Sequence, residues 1–248
     1  MIKLANICKE YEAELGYKKI LLKNISIDFK PGKVNSIIAP VNTGKTLLAK
    51  IIAGLESASS GDIINSENEK IIFIPSKPSS IPWLNVKENI ILGLSNYEPA
   101  EIHNIINLVE LDGYENHQPK ENSLCFRFRI SLARSMAHKP VLIILDNPFN
   151  DMDSLTKKEI LLLVRKINVS EKISFLFLTD NISDAVFLSD KIYLMKKNPG
   201  EIINEIDVTL KKYRTESTFK SKKYIEITSD ILNEFKKHKS NKLENIFV

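Results

Sequence analysis

The chain has 248 residues, 43% hydrophobic and 27% charged, an ordinary globular composition that excludes a mainly disordered protein. Its 35 Lys and Arg against 31 Asp and Glu leave a net charge of +4, too mild to argue for a nucleic-acid partner, and none is expected. Two cysteines, Cys8 and Cys125, lie far apart without a metal-ligand pattern, which excludes a disulfide framework or a zinc site, and the 8 glycines are half of what the usual ~7% share would give. No stretch approaches the ~18 uninterrupted apolar residues of a membrane span, and the first residues lack the basic-then-apolar pattern of a leader.

In chain order, residues 2–8 and 20–29 read as strands; in the second, Ile25, Ile27 and Phe29 alternate with Ser26 and Asp28. Pro31-Gly32 is a turn, and Val34 to Ala39 is a short apolar run of buried-strand type. A loop with Pro40 and Asn42 follows, then a helix from Lys45 to Ala53 that Gly54 ends. A strand is expected over 70–74 and a Pro/Ser-rich loop over 75–85. Helical pattern follows from Val86 to about Val109, broken near 96–99, and a basic helix over 124–138 that Pro140 ends. Strands over 141–145, 173–178 and 190–196 alternate with helices over 155–168 and 182–188. That alternation argues for an α/β chain, a parallel sheet covered on both faces, with the helical insert over 75–138 as a subdomain. Residues 201–248 are rich in lysine and weakly periodic, and are read as a small appendage.

The segment Ala39-Pro40-Val41-Asn42-Thr43-Gly44-Lys45-Thr46 carries chemistry. It follows a buried strand and opens a helix, the setting in which backbone N–H groups cradle phosphates. Lys45 would reach the terminal phosphates, and the Thr46 hydroxyl would hold Mg²⁺. The motif's first glycine is Ala39, and Asn42 fills a position where one branch of such proteins has glycine. Asn tolerates the left-handed backbone, so the loop can close. A chance Gly-Lys-Thr before a helix is the competing reading. Val141 to Leu145 then delivers Asp146 to the C-terminal end of an apolar strand, where parallel sheets bind ligands and a carboxylate can hold Mg²⁺ through water. Taken alone, Asp146 reads equally well as a turn residue before Pro148; the two segments together are far more specific.

Through these residues the chain resembles the nucleotide-binding subunit of an ABC transporter, and the similarity runs over nearly its whole length. Leu48 to Leu55 with Ser60-Gly61, Leu132 to Ala137 and Asp184 to Ile192 are similar to family segments. Ile81-Pro82-Trp83-Leu84-Asn85-Val86 with Glu88-Asn89 looks like the branch serving nitrate, sulfonate and taurine importers, and weakly so does the tail around Tyr213-Arg214 and Phe219. The resemblance implies a P-loop NTPase-type, mostly parallel sheet flanked by helices, with an antiparallel β subdomain and a helical subdomain. It implies a nucleotide-binding domain over 1–205 and a C-terminal appendage over 206–248. ATP and Mg²⁺ are the implied cofactors, bound by Tyr11 (the adenine-stacking aromatic), the loop from Ala39 through Leu47, and Asp146. The implied partners are membrane-embedded permease subunits, met near Trp83, and a second nucleotide-binding subunit, itself or a paralogue. The implied location is cytoplasmic, peripheral on the inner face of the cell membrane.

The departures from the family pattern fall on its catalytic loops. The water-polarising Glu after the strand-end Asp is Asn147, which can orient a water but cannot take its proton. The switch His that contacts the terminal phosphate is Asp180. The Gln linking Mg²⁺ to the permease is Ser76. The signature that clamps the partner's nucleotide falls on Asn122 to Phe126, where only Ser123 survives and two glycines have become Leu124 and Cys125. The expectation is therefore a subunit of an ABC-type importer that binds Mg-ATP with weak or absent hydrolysis. The alternative is a non-catalytic pseudo-ATPase that holds or regulates a transporter. Asp151 to Asp153 resembles the family's loop between the two sites, with Asp153 equally suited to cap a helix. His103, His117, His138 and His238 show no ligand spacing, and the tail lysines are read as a solvated face or a contact with anionic lipid or an acidic partner loop.

Overall fold

The structure, a computed structural model, describes residues 2–12, 18–65, 69–77, 79–119 and 123–244, with side chains as far as residue 236. Asn122 of the signature-like segment and the lysines beyond 236 lie outside those descriptions.

Strands β1 (Ile2–Glu12) and β2 (Lys18–Phe29) pair antiparallel, with Ile2 opposite Phe29 and Glu12 opposite Lys18. The other edge of β1 carries a later strand, Ser60–Asn65, also antiparallel. Ser60-Gly61 is the start of that strand, which the sequence pattern does not announce because it is polar and short. After β2 come β3 (Val34–Ile38), helix α1 (Lys45–Ile52), that strand as β4 (Ser60–Asn65), and β5 (Ile71–Ile74). Helices α2 (Val86–Ile91), α3 (Pro99–Leu108) and α4 (Leu124–Ala137) form the helical insert. The chain continues through β6 (Leu142–Asp146), α5 (Ser154–Glu171), β7 (Ser174–Thr179), α6 (Ile182–Leu188), β8 (Lys191–Lys196), β9 (Glu201–Asp207) and α7 (Lys222–Glu244).

The main sheet runs β5-β6-β7-β3-β8-β9, parallel throughout except for the antiparallel edge strand β9. Its central strands β3, β6 and β7 are buried on both faces, and β6 and β7 therefore read as near-continuous apolar runs. Alternate residues feed two cores. Leu142, Ile144, Leu176 and Leu178 pack under α1 and the β1/β2 ribbon, whereas Ile143, Leu145, Phe175 and Phe177 pack toward the helical insert, α5 and α6. The insert is tied down by buried Asn89, whose amide bonds the backbone of Ile81, Leu84 and Asn85, and by Arg134, which donates to Asn89 Oδ1 at 2.6 Å. Asn85 and Glu88 close a capping box on α2.

Two expectations are corrected at the C-terminus. The division at 205/206 falls inside β9, which extends the main sheet through Asp207 opposite Lys191. The stretch read as weakly periodic also contains α7, whose Tyr224 and Ile231 are buried in the helix-side core with Ile227 and Phe235 against them. Those four positions have helical spacing; surrounding lysines mask it. Buried Arg214 fastens the tail by donating to the carbonyls of Val186, Phe187 and Ser189 at the end of α6. Phe219 stacks on Phe187 at 4.1 Å, nearly coplanar. Asp190 accepts from Arg165 at 2.8 Å and from the Val34 N–H at 3.0 Å, which joins α5 and the start of β3 to the same cluster.

Candidate functional site

The strand ends build the site. In the register of the sheet Ile38 stands beside Thr179, and Asp146 stands beside Leu178. One residue further, the Ala39 N–H donates to Thr179 O at 3.2 Å and the Asn147 N–H donates to Leu178 O at 2.9 Å. Residues 39, 146, 147 and 180 are thereby held at one edge of the sheet, at the C-terminal ends of β3, β6 and β7.

Between β3 and α1 the loop turns through two left-handed positions, Asn42 at φ 61° and Gly44 at φ 96°. Asn is among the side chains that tolerate this region, so the asparagine closes the loop as expected. A Cβ on Gly44 would lie 2.9 Å from the Leu22 side chain, so glycine is required there on two counts. Ala39, by contrast, keeps φ outside the left-handed region and is buried, so its methyl is accommodated without strain. Gly44 caps α1 with no side-chain acceptor and no acidic residue follows in the first turn, which leaves the helix N–H groups and the positive end of its dipole for an anion.

Lys45 is buried and donates to the Ala39 carbonyl at 2.5 Å. Thr46 Oγ1 donates to Asp146 Oδ2 at 2.8 Å. Burial disfavours charge on both Lys45 and Asp146. It lowers the lysine's pKa against the opposing charges of Asp180 and then Asp146, and it raises the aspartate's against the Thr46 hydrogen bond and the charge of Lys45.

Tyr11, the 41–47 loop, Ser76, Asp146 and Asn147 line one open cleft of about 630 Å³. Tyr11 is 43% exposed, its ring 4.9 Å from the Lys9 ammonium, and Lys9 in turn bonds Glu56 at 2.8 Å. Sequence reading missed Lys50, Glu56, Lys77 and Asn150, which line the same cleft. Lys50 is carried in by α1, one turn beyond Thr46, whereas Glu56, Lys77 and Asn150 come from loops and belong to no spacing motif.

The other expected residues stand apart. Ser123 is the N-cap of α4, its hydroxyl accepting from Phe126 N at 3.3 Å. Leu124 and Cys125 form the first turn and pack, half-buried, against the helix-side core, with Cys125 Sγ accepting from Arg129 Nε at 3.5 Å. Asp153 caps α5, accepting from the N–H groups of Leu155 and Thr156 at 3.0 Å each, while Asp151 lines the cleft. Trp83, near which the resemblance implies the permease contact, is 70% exposed. His103, though isolated in sequence, meets Asp112 and Glu115 with donor atoms within 4.8 Å of one another, on the surface of the helical insert.

Known proteins are similar to this chain in sequence and in fold. The family described as "ABC transporter" matches residues 22–150. A protein of Bacillus cereus named "Aliphatic sulfonates import ATP-binding protein" is 31% identical over 88% of this chain and 89% of its own length. A protein of Bacillus subtilis with the same name is 29% identical over 90% of this chain and 89% of its own. Among solved structures, a dimeric ATP-binding cassette in a post-hydrolysis state with ADP and Pi superposes with a TM-score of 0.71 at 25% identity, covering 85% of this chain and all of that one.

Proposed function

This chain belongs to the ABC transporter family, and on that premise we propose that it is the nucleotide-binding subunit of an importer, binding Mg-ATP with weak or absent hydrolysis. The donor set supports Mg²⁺ binding: a hydroxyl and a carboxylate oxygen, 2.8 Å apart, are hard ligands at the mouth of the phosphate loop. Bound there, Mg²⁺ neutralises charge on the terminal phosphate oxygens. Thr46 and Asp146 hold the ion, the N–H groups of residues 41–46 cradle phosphate, and Tyr11 offers its exposed ring to the base. Lys45 exchanges its bond to the Ala39 carbonyl for phosphate oxygens.

One observation carries the reading on hydrolysis. Asn147 lines the cleft directly after Asp146, in the place where a proton acceptor would serve the attacking water, and its amide accepts no proton. Asp180 and Ser76 compound the loss, and the side chains of Leu124 and Cys125 bring bulk to the surface that would clamp a second subunit's nucleotide. The same departures favour the second reading, a pseudo-ATPase that serves a transporter as a structural or regulatory subunit. In either reading the partners are a permease, a second nucleotide-binding subunit, and the inner face of the membrane on which the permease lies. Among the described residues no helix is long and apolar enough to cross a membrane.

The test is binding and turnover on the same preparation. Calorimetry is expected to register Mg-ATP, and a phosphate-release assay to register almost none. Turnover on the enzyme scale of ~1–10³ s⁻¹ would overturn the hydrolysis claim, and failure to bind nucleotide would overturn the rest.

A further inference from the structure

The geometry points to a site that holds a nucleoside diphosphate more tightly than the triphosphate, with Asp180 as the discriminating residue; this rests on the nucleotide-binding reading above. Asp180 directly follows Thr179, whose carbonyl takes the Ala39 N–H at 3.2 Å, and the Ala39 carbonyl takes the Lys45 ammonium at 2.5 Å. The backbone of Asp180 thus follows directly on the residue that holds Ala39, and its side chain is exposed at that strand end. Its charge also acts on Lys45 ahead of that of Asp146.

Lys45 is the group that would meet the β- and γ-phosphates of a nucleotide in this loop. A γ-phosphate and the Asp180 carboxylate therefore compete for one cation, and each is an anion beside the other. The backbone cradle of residues 41–46 acts chiefly on the inner phosphates and treats the two nucleotides alike. With Asn147 neutral, Lys45, Asp146 and Asp180 sum to one negative charge before any ligand enters, and the triphosphate adds more negative charge than the diphosphate. Asp180 is water-exposed, which screens the repulsion, so the preference is about tenfold rather than the far larger factor of a dry site.

The experiment measures affinities for Mg-ADP and Mg-ATP by calorimetry on the full chain and on Asp180→Asn, which keeps the shape and removes the charge. The parent is expected to bind Mg-ADP about tenfold more tightly than Mg-ATP. Asp180→Asn is expected to close that gap by strengthening Mg-ATP, with Mg-ADP changed by less than about twofold. Equal affinities in the parent, or tighter Mg-ATP, overturn the inference and leave nucleotide binding intact; the cleft lysines Lys50 and Lys77 then supply the γ-phosphate contact. A gap that persists in Asp180→Asn also overturns it. If neither nucleotide binds, the nucleotide-binding reading fails and the inference with it, an outcome distinct from the others because no affinity is measured at all.

Discussion

Asn147→Glu combined with Asp180→His tests whether hydrolysis is limited by the two residues at the ends of β6 and β7. Asn147 sits at φ 51°, a left-handed conformation that asparagine takes with little strain. Glutamate there costs ~1 kcal/mol of backbone strain, and for a chain of this size the melting temperature should fall by roughly 2–4 °C. Against that cost, a positioned general base is worth ~10²–10⁴ in rate, or about 3–5 kcal/mol of barrier. Replacing Asp180 removes a carboxylate that, at ~4 Å from a phosphate and an effective dielectric near ~20, would oppose it by at most ~4 kcal/mol; water around the exposed side chain reduces this. The assay is single-turnover phosphate release at saturating Mg-ATP, with melting followed in parallel. The double variant should release phosphate at least ~100-fold faster than the parent while melting slightly lower. A parent that already turns over at ~1 s⁻¹ or more refutes the reasoning, as does a folded, nucleotide-bound double variant with no gain.

Lys45→Met should weaken Mg-ADP and Mg-ATP together by about 10–100-fold, the worth of one charged hydrogen bond, read by calorimetry. Arg214→Ala should cost about 3–5 kcal/mol in a urea titration, since it strips the donors from the carbonyls of Val186, Phe187 and Ser189; a loss below ~1 kcal/mol would mean that water replaces the guanidinium. Leu124→Gly with Cys125→Gly should lower stability by ~1 kcal/mol from helix propensity alone, because both residues lie in the first turn of α4; a urea titration reads it. Burial pushes the Asp190 carboxyl up, but hydrogen bonds from Arg165 and the Val34 N–H outweigh it and hold the pKa below the usual range. A depressed folded value gives stability that is present above the unfolded pKa of ~3.9 and lost as pH falls through the folded one. Urea midpoints should therefore drop below about pH 4, and Asp190→Asn should shallow that drop; an unchanged slope would clear Asp190 of the effect.

The central strands could be read from the sequence because burial on both faces writes itself as unbroken apolar runs, as in Leu142 to Leu145 and Phe175 to Leu178. The phosphate loop was equally legible, since a strand, a Gly-Lys-Thr and a helix are contiguous in the chain. Strand β9 and helix α7 were not. Both are half-exposed elements whose polar residues dilute the period; β9 is fixed by hairpin pairing with the adjacent β8, and α7 by packing on the more distant α6. The lysines and the asparagine that line the cleft beside Tyr11 were also hidden, because no spacing rule links residues 11, 50, 77 and 150.

What the sequence determined by itself was the residue types available: Lys45, Thr46 and Asp146 in strand-loop-helix and strand-end settings, an amide at Asn147, and Leu124 and Cys125 where the family resemblance implies glycines. Residue types and local spacing suffice for that, because each motif is a continuous piece of chain. The tertiary structure decided which groups share a field. Parallel pairing of β3 with β7 brings the end of β7, where Asp180 follows Thr179, to the end of β3, where Ala39 holds Lys45, 135 positions earlier in the chain by the numbering of Lys45 and Asp180. Backbone conformation likewise explains why glycine was dispensable at Ala39, which keeps an ordinary φ, and indispensable at Gly44, which sits at φ 96° against Leu22. Conformation and neighbours fix that need, and both are properties of the folded chain.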